Sequence, residues 1–174
     1  MNNNVFIFDV DGCIMPNIFK NYGWDGDQDR ETVIREVNKF GKNVPLFPNF
    51  IEHYKKFCKD ALKIYFITGR QEEDFKELTL HNLQSILDIQ YDFTIIWYPP
   101  DKKHKAKTYF KWKIRRIKKI MEGYEKSSRK YGLKLSYYIY DDWVDYFSQI
   151  EKYTKKHKIS YFLGKRQSNE DWMI

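Results

Sequence analysis

Val5-Phe6-Ile7-Phe8-Asp9-Val10-Asp11-Gly12 is a short apolar run that ends in two acids. A run of this kind, bounded by turn residues, reads as a buried strand. It delivers Asp9 and Asp11 to a strand end, on the same side of the chain with one residue between them. Two carboxylates placed there can share a metal, or divide a reaction into attack and proton transfer. A buried pair doing neither carries a large desolvation cost. Asp and Gly are also ordinary turn residues, so these eight positions alone leave a plain surface turn open.

The rest of the chain alternates strands and helices. After an irregular stretch over about 12–44, with a short helix expected around Arg30 to Phe40, Pro48 introduces the helical spacing Phe50-Ile51-Tyr54-Phe57. Leu62 to Ile67 reads as a second strand stopping at Thr68-Gly69-Arg70, and Gln71 to Leu87 has helical spacing. Tyr91 to Trp97 reads as a third strand, closed by Pro99-Pro100. A long basic helix is expected from about Ala106 to Tyr131, with Phe110, Ile114, Ile117 and Met121 on one face. Leu135 to Tyr140 is a fourth strand ending in Asp141-Asp142, followed by a helix over Val144 to Tyr153 and a short last strand, Ile159 to Leu163. Strands separated by helices predict an α/β fold, a three-layer sandwich with a mainly parallel sheet and helices on both faces. A single domain over 1–174 is expected, with a flap or small insert at about 12–44.

Composition narrows the function classes. With 174 residues, 32% charged and 18% aromatic, the chain suits one soluble globular domain rather than a disordered one. It has no apolar stretch of membrane-spanning length. The start, Met1-Asn2-Asn3-Asn4, has no basic region and the apolar run after it is broken by acids, so a cytoplasmic protein is expected. Cys13 and Cys58 are expected as free thiols, without the spacing or histidine partners of a zinc site. The four histidines show no ligand spacing. The net charge of +7 is concentrated in 101–134, where Tyr109, Phe110, Trp112 and Tyr124 are interleaved with Lys and Arg. That segment is either a solvated helix face with core aromatics or a surface for a polyanion such as single-stranded nucleic acid.

In a parallel α/β sheet, functional groups gather at the carboxyl ends of the strands, where strand order reverses. Three expected strand ends carry reactive residues: Asp9/Asp11, Thr68-Gly69-Arg70 and Asp141/Asp142. Carboxylates from two strands suit a hard cation such as Mg²⁺, and a Thr hydroxyl with the Gly69 backbone N–H suits phosphate oxygens. A lysine is needed to neutralise such a site, and Lys105, Lys107, Lys111 and Lys113 are candidates.

The order Asp9-Val10-Asp11-Gly12, Ile67-Thr68-Gly69-Arg70, a helix lysine, then Tyr140-Asp141-Asp142 resembles the haloacid dehalogenase-like (HAD) superfamily of phosphohydrolases. The resemblance implies a Mg²⁺-dependent phosphatase in which Asp9 is the nucleophile that becomes an aspartyl-phosphate, and Asp11 the general acid/base. It implies that Thr68 and Gly69 bind the phosphoryl group; Arg70, which follows that pair, is expected either to contact the substrate phosphate or to bridge a neighbouring loop. Asp141 and Asp142 would complete a metal site with Asp9 and Asp11, the latter through its carbonyl. Thr108-Tyr109-Phe110-Lys111 resembles the pattern that carries the site lysine in several relatives, so Lys111 is expected there, with Lys107 in reserve. One departure is Cys13, where the family commonly has Thr.

Too few residues separate the motifs for a full cap domain. An open, cap-less site suits a bulky substrate, and the motifs look similar to the phosphatase half of polynucleotide kinase-phosphatases. A nucleic-acid 3′-phosphate or a nucleotide is therefore the expected substrate, with Trp24 and its loop as a small lid. A non-catalytic nucleic-acid-binding protein that keeps the fold is the alternative.

Overall fold

A computed structural model describes residues 3–21, 29–87, 92–100 and 106–165. Trp24 and its loop, Tyr91 and Lys105 lie outside the described residues. Strand β1, Asn4–Asp9, is the middle of a five-stranded sheet, and Val5 to Phe8 are at most 2% exposed because both sheet faces are covered. Its neighbours are β2 (Ala61–Ile67) on one side and β4 (Ser136–Asp141) on the other, both parallel to it. The edges are β3 (Phe93–Ile96) beside β2 and β5 (Ser160–Lys165) beside β4, giving the all-parallel order β3-β2-β1-β4-β5.

Parallel neighbours need crossover connections, and the helices supply them. Between β1 and β2 lie α1 (Ile18–Asn21), α2 (Arg30–Phe40) and α3 (Pro48–Phe57). Asp29 caps α2 by accepting the Thr32 N–H at 2.9 Å, and Pro48 opens α3 where a missing N–H costs nothing. Helix α4 (Glu72–Leu87) joins β2 to β3, α5 (Ala106–Tyr131) joins β3 to β4, and α6 (Phe147–His157) leads to β5.

Side-chain alternation along β1 splits the core in two. Phe6 and Phe8 pack with α2, α3 and α4 on one face, whereas Val5 and Ile7 pack with α5 and α6 on the other. The result is the expected α/β/α sandwich. Phe8 sits at the centre of an aromatic cluster, with ring centroids of Tyr140, Phe50 and Phe66 at 4.9, 5.3 and 5.9 Å. The described residues form no large cap over the sheet. No helix among them is long and apolar enough to cross a membrane.

The aromatics of the basic segment serve the core rather than a stacking platform. Trp112 is 5% exposed and packs on Tyr98 and Tyr109, Phe110 packs on Trp143 and Tyr146, and Tyr124 meets Tyr65. Helical spacing turns them toward the sheet, as it does Ile114 and Ile117.

Candidate active site

Strand order reverses at β1, so the carboxyl ends of β1, β2 and β4 meet there. Register pairs Asp9 with Ile67 and Phe8 with Tyr140, which brings Asp141 level with Asp9 and Thr68 just beyond it. After β1 the chain turns sharply: Ile14 N–H donates to Val10 O at 3.1 Å and Gly12 N–H to Met15 O at 2.8 Å. Gly12 adopts φ +86°, and a Cβ at that position would overlap the Asp142 carboxylate. Only glycine lets the turn approach this acid without strain.

Asp9, Asp141 and Asp142 offer carboxylate oxygens that all lie within 4.8 Å of one another. Lys113 Nζ reaches Asp9 Oδ1 at 2.7 Å and Asp141 Oδ2 at 2.6 Å, and its side chain is 2% exposed. The Tyr109 hydroxyl donates to Asp9 Oδ1 at 3.2 Å, and the Tyr146 hydroxyl to Asp141 Oδ2 at 2.5 Å. Asp141 Oδ1 accepts the Trp143 N–H at 2.9 Å. Burial raises the Asp9 carboxyl well above the usual carboxylate range, with Asp141 and Asp142 adding to the rise against the pull of Lys113. Burial alone would lower Lys113, but Asp141 and Asp9 outweigh it and hold the ammonium well above its ordinary value. Burial, then the neighbouring Asp9, likewise pushes the Tyr109 phenol up.

The lysine at the acids is therefore Lys113, not Lys111 or Lys107, both of which are exposed on the outer side of α5. Helix phase explains the difference. Lys113 follows Phe110 by three residues and precedes Ile117 by four, so it lies within the apolar stripe that faces the sheet. Lys111 lies about 200° around the helix from Lys113. A lysine inside an apolar stripe is the sequence signal that marks Lys113 as buried.

Arg70 is turned into the protein, toward Asp11. It is 0% exposed, and its guanidinium grips the Asp11 carboxylate through Nε to Oδ2 at 2.9 Å and Nη2 to Oδ1 at 2.8 Å. Of the two expected roles, the bridge to a neighbouring loop is the one observed. The Asp11 carboxylate stands apart from the acidic cluster, and its side chain remains 12% exposed. Thr68 is fully buried and its Oγ1 accepts the Arg70 N–H at 3.1 Å, fixing the turn through Gly69. Cys13 is a buried thiol beside the site, with its pKa raised by burial and then by Asp9.

The arrangement combines a lysine-held carboxylate, a cluster of oxygen donors with excess negative charge, a second partly exposed carboxylate, and a threonine turn. Comparison with known proteins bears on what that combination serves. The profile of the family described as HAD superfamily, subfamily IIIB (acid phosphatase) matches residues 1–160. Among solved structures, the chain is similar to the class C acid phosphatase from Bacillus anthracis with tungstate bound, at 16% identity and a TM-score of 0.45. That match covers 94% of this chain and 66% of the other, so the chain spans just under two thirds of that relative's length. No curated protein matches it. The likeness to polynucleotide kinase-phosphatases rests on the motifs alone.

Proposed function

The chain belongs to the HAD superfamily, subfamily IIIB, the acid phosphatases, and on that footing we propose that it hydrolyses phosphomonoesters through a phosphorylated Asp9, with Mg²⁺ as its metal. The observation that carries the proposal is the buried meeting of Asp9 with Lys113, Asp141 and Asp142. Three carboxylates there face one ammonium, and the surplus negative charge suits a divalent cation with oxygen ligands. Asp9, Asp141 and Asp142 would hold it. When bound, it offsets the repulsion between an anionic nucleophile and an anionic phosphate.

The chain's own residues divide the remaining work. Lys113 and Tyr109 hold Asp9 Oδ1, which fixes the rotation of the nucleophile before substrate arrives. The Asp9 carboxylate forms a bond to phosphorus as the bond to the leaving oxygen breaks, and Asp11 gives that oxygen a proton. Asp11 then takes a proton from a water that attacks the aspartyl-phosphate, releasing phosphate and restoring Asp9. Thr68 and the backbone at Gly69 sit where β2 ends beside β1, suited to bind the phosphoryl oxygens.

Hydrolysis of 4-nitrophenyl phosphate in the presence of Mg²⁺ tests the proposal. Activity should vanish on chelation and in Asp9→Asn. Turnover unchanged in Asp9→Asn would sink the nucleophile assignment.

A polyanionic substrate such as a nucleic-acid 3′-end is a second, finer proposal, favoured by Lys107, Lys111, Arg115 and Lys119. These exposed cations recur every four residues along α5, about 6 Å apart along the axis. Comparing 3′- and 5′-phosphorylated oligonucleotides with nucleotides and sugar phosphates decides it. A preference for sugar phosphates would remove the nucleic-acid end and leave the mechanism standing. Buried free thiols at Cys13 and Cys58 support a cytoplasmic setting. One domain over 1–174, with the 12–44 segment as its insert, remains the proposed organisation.

A further inference from the structure

We infer that Arg70 is the positioning residue of the acid/base: it fixes the orientation of the Asp11 carboxylate and ties it to α4 and to the end of the 12–44 segment. The inference rests on the phosphatase proposal above. A guanidinium has five N–H donors, and each is engaged. Two grip Asp11, at 2.9 and 2.8 Å. The two on Nη1 go to Thr79 Oγ1 at 2.9 Å and Asn82 Oδ1 at 3.1 Å, and the second on Nη2 points to Met15 Sδ at 3.2 Å. No donor is left for a phosphate.

The anchors are themselves fixed. Thr79 and Asn82 are buried polar residues three apart on the core face of α4, at 0% and 6% exposure. Asn82 Nδ2 donates to Gly41 O at 2.9 Å and Val44 O at 3.3 Å, where the 12–44 segment rejoins the core. A continuous set of hydrogen bonds thus runs from that segment through Asn82 and Arg70 to Asp11. The fork uses one lone pair on each Asp11 oxygen. A carboxylate has about four such sites, so the exposed side of Asp11 keeps acceptor capacity for proton transfer. Without the fork, the carboxylate is free to rotate away from the leaving oxygen.

A residue acting through Asp11 leaves a signature that a merely structural residue does not. Protonating the leaving group matters for an alkyl phosphate and little for 2,4-dinitrophenyl phosphate. The readout is kcat/KM with Mg²⁺ on glycerol 2-phosphate and on 2,4-dinitrophenyl phosphate, for wild type, Asp11→Asn, Arg70→Ala, Arg70→Lys and Asp11→Asn/Arg70→Lys. General acid catalysis contributes about 10²–10⁴-fold, so Arg70→Ala should lose roughly a hundredfold on the alkyl substrate and less than about fivefold on the aryl one. Arg70→Lys keeps the charge without the fork and should lose about tenfold, again selectively. Where Arg70→Ala does not fold by circular dichroism, Arg70→Lys carries the test. The double variant should be no worse than Asp11→Asn alone.

Equal losses on both substrates in a folded Arg70 variant, or losses that multiply in the double variant, would overturn the inference. If Asp11→Asn itself shows no selective loss, the acid assignment fails instead. If wild type hydrolyses neither substrate, the phosphatase proposal falls and takes this inference with it.

Discussion

Replacing Lys113 by Met tests both the placement of the lysine and the electrostatic character of the site. Lys113 Nζ lies 2.7 Å from Asp9 Oδ1 and 2.6 Å from Asp141 Oδ2, and the three side chains are no more than 9% exposed. Met fills much of the same volume, so the change removes charge rather than packing. It leaves two buried carboxylates, with Asp142 nearby, facing one another without a cation. Removing one partner of a buried pair costs about 3–5 kcal/mol, against a total stability of about 5–15 kcal/mol for a domain. The variant should therefore fold but unfold early. With a slope of about 2 kcal/mol per molar, its urea midpoint should fall by roughly 2 M. Lys111→Met, at an exposed position without an ion pair among the described residues, should stay within about 0.5 kcal/mol of wild type. Urea titrations followed by circular dichroism, with EDTA and with millimolar MgCl₂, give all three numbers. Magnesium should restore more stability to Lys113→Met than it adds to wild type, because the uncompensated carboxylates are its proposed ligands. A Lys113→Met midpoint indistinguishable from that of Lys111→Met would refute the reasoning.

Three further outcomes follow from particular contacts. Gly12→Ala places a Cβ against the Asp142 carboxylate at φ +86°, and should lose about 1–2 kcal/mol of stability and at least tenfold in Mg²⁺ affinity, read by calorimetry. His53, 6% exposed and bonded to the Tyr140 hydroxyl at 3.1 Å, has its pKa lowered from 6.5 to about 4 by burial, with Lys56 adding to the shift. The unfolded chain then binds the proton more tightly, so the contribution is complete above pH 6.5 and is lost as pH falls from 6.5 toward 4. The part of the stability that His53 supplies, read as wild type minus His53→Gln at each pH, should be about 1–2 kcal/mol smaller at pH 5 than at pH 8, allowing for some solvent screening. Tyr109→Phe removes the hydroxyl 3.2 Å from Asp9 Oδ1. It should lower kcat on 4-nitrophenyl phosphate by about three- to tenfold, the scale of one ordinary hydrogen bond of about 1 kcal/mol, because Lys113 still holds the same oxygen.

What the sequence reveals and what it conceals separate along a physical line. The strands are legible because full burial on two faces demands continuous apolar runs, as in Val5 to Phe8 and Ile64 to Ile67. The acids are legible because they sit at the ends of those runs, where backbone connectivity alone fixes their neighbourhood. Lys113 is harder, because its identity depends on helix phase. Two residues' difference from Lys111 moves a side chain from solvent to the centre of the site. Arg70 is harder still, because its partners Thr79, Asn82 and Met15 become neighbours only through tertiary packing. In retrospect Thr79 and Asn82, polar among Phe75, Leu78, Leu83 and Ile86 on the buried face of α4, mark a group that needed hydrogen bonds from elsewhere.

The central position of β1 also governs when the site can exist during synthesis. β1 leaves the ribosome first among the strands, yet one of its two flanks is empty until β4 has been made, most of the chain later. Contacts of such sequence separation are costly to close and slow to form. The nascent chain can pair β1 with β2 and β3 and bury the face that carries Phe6 and Phe8. Asp9 acquires its neighbour Asp141, and Lys113 its second carboxylate, only when β4 docks. The charged cluster therefore cannot close before β4 is present, and a chain interrupted before β4 has Asp9 but not its partners Asp141 and Asp142.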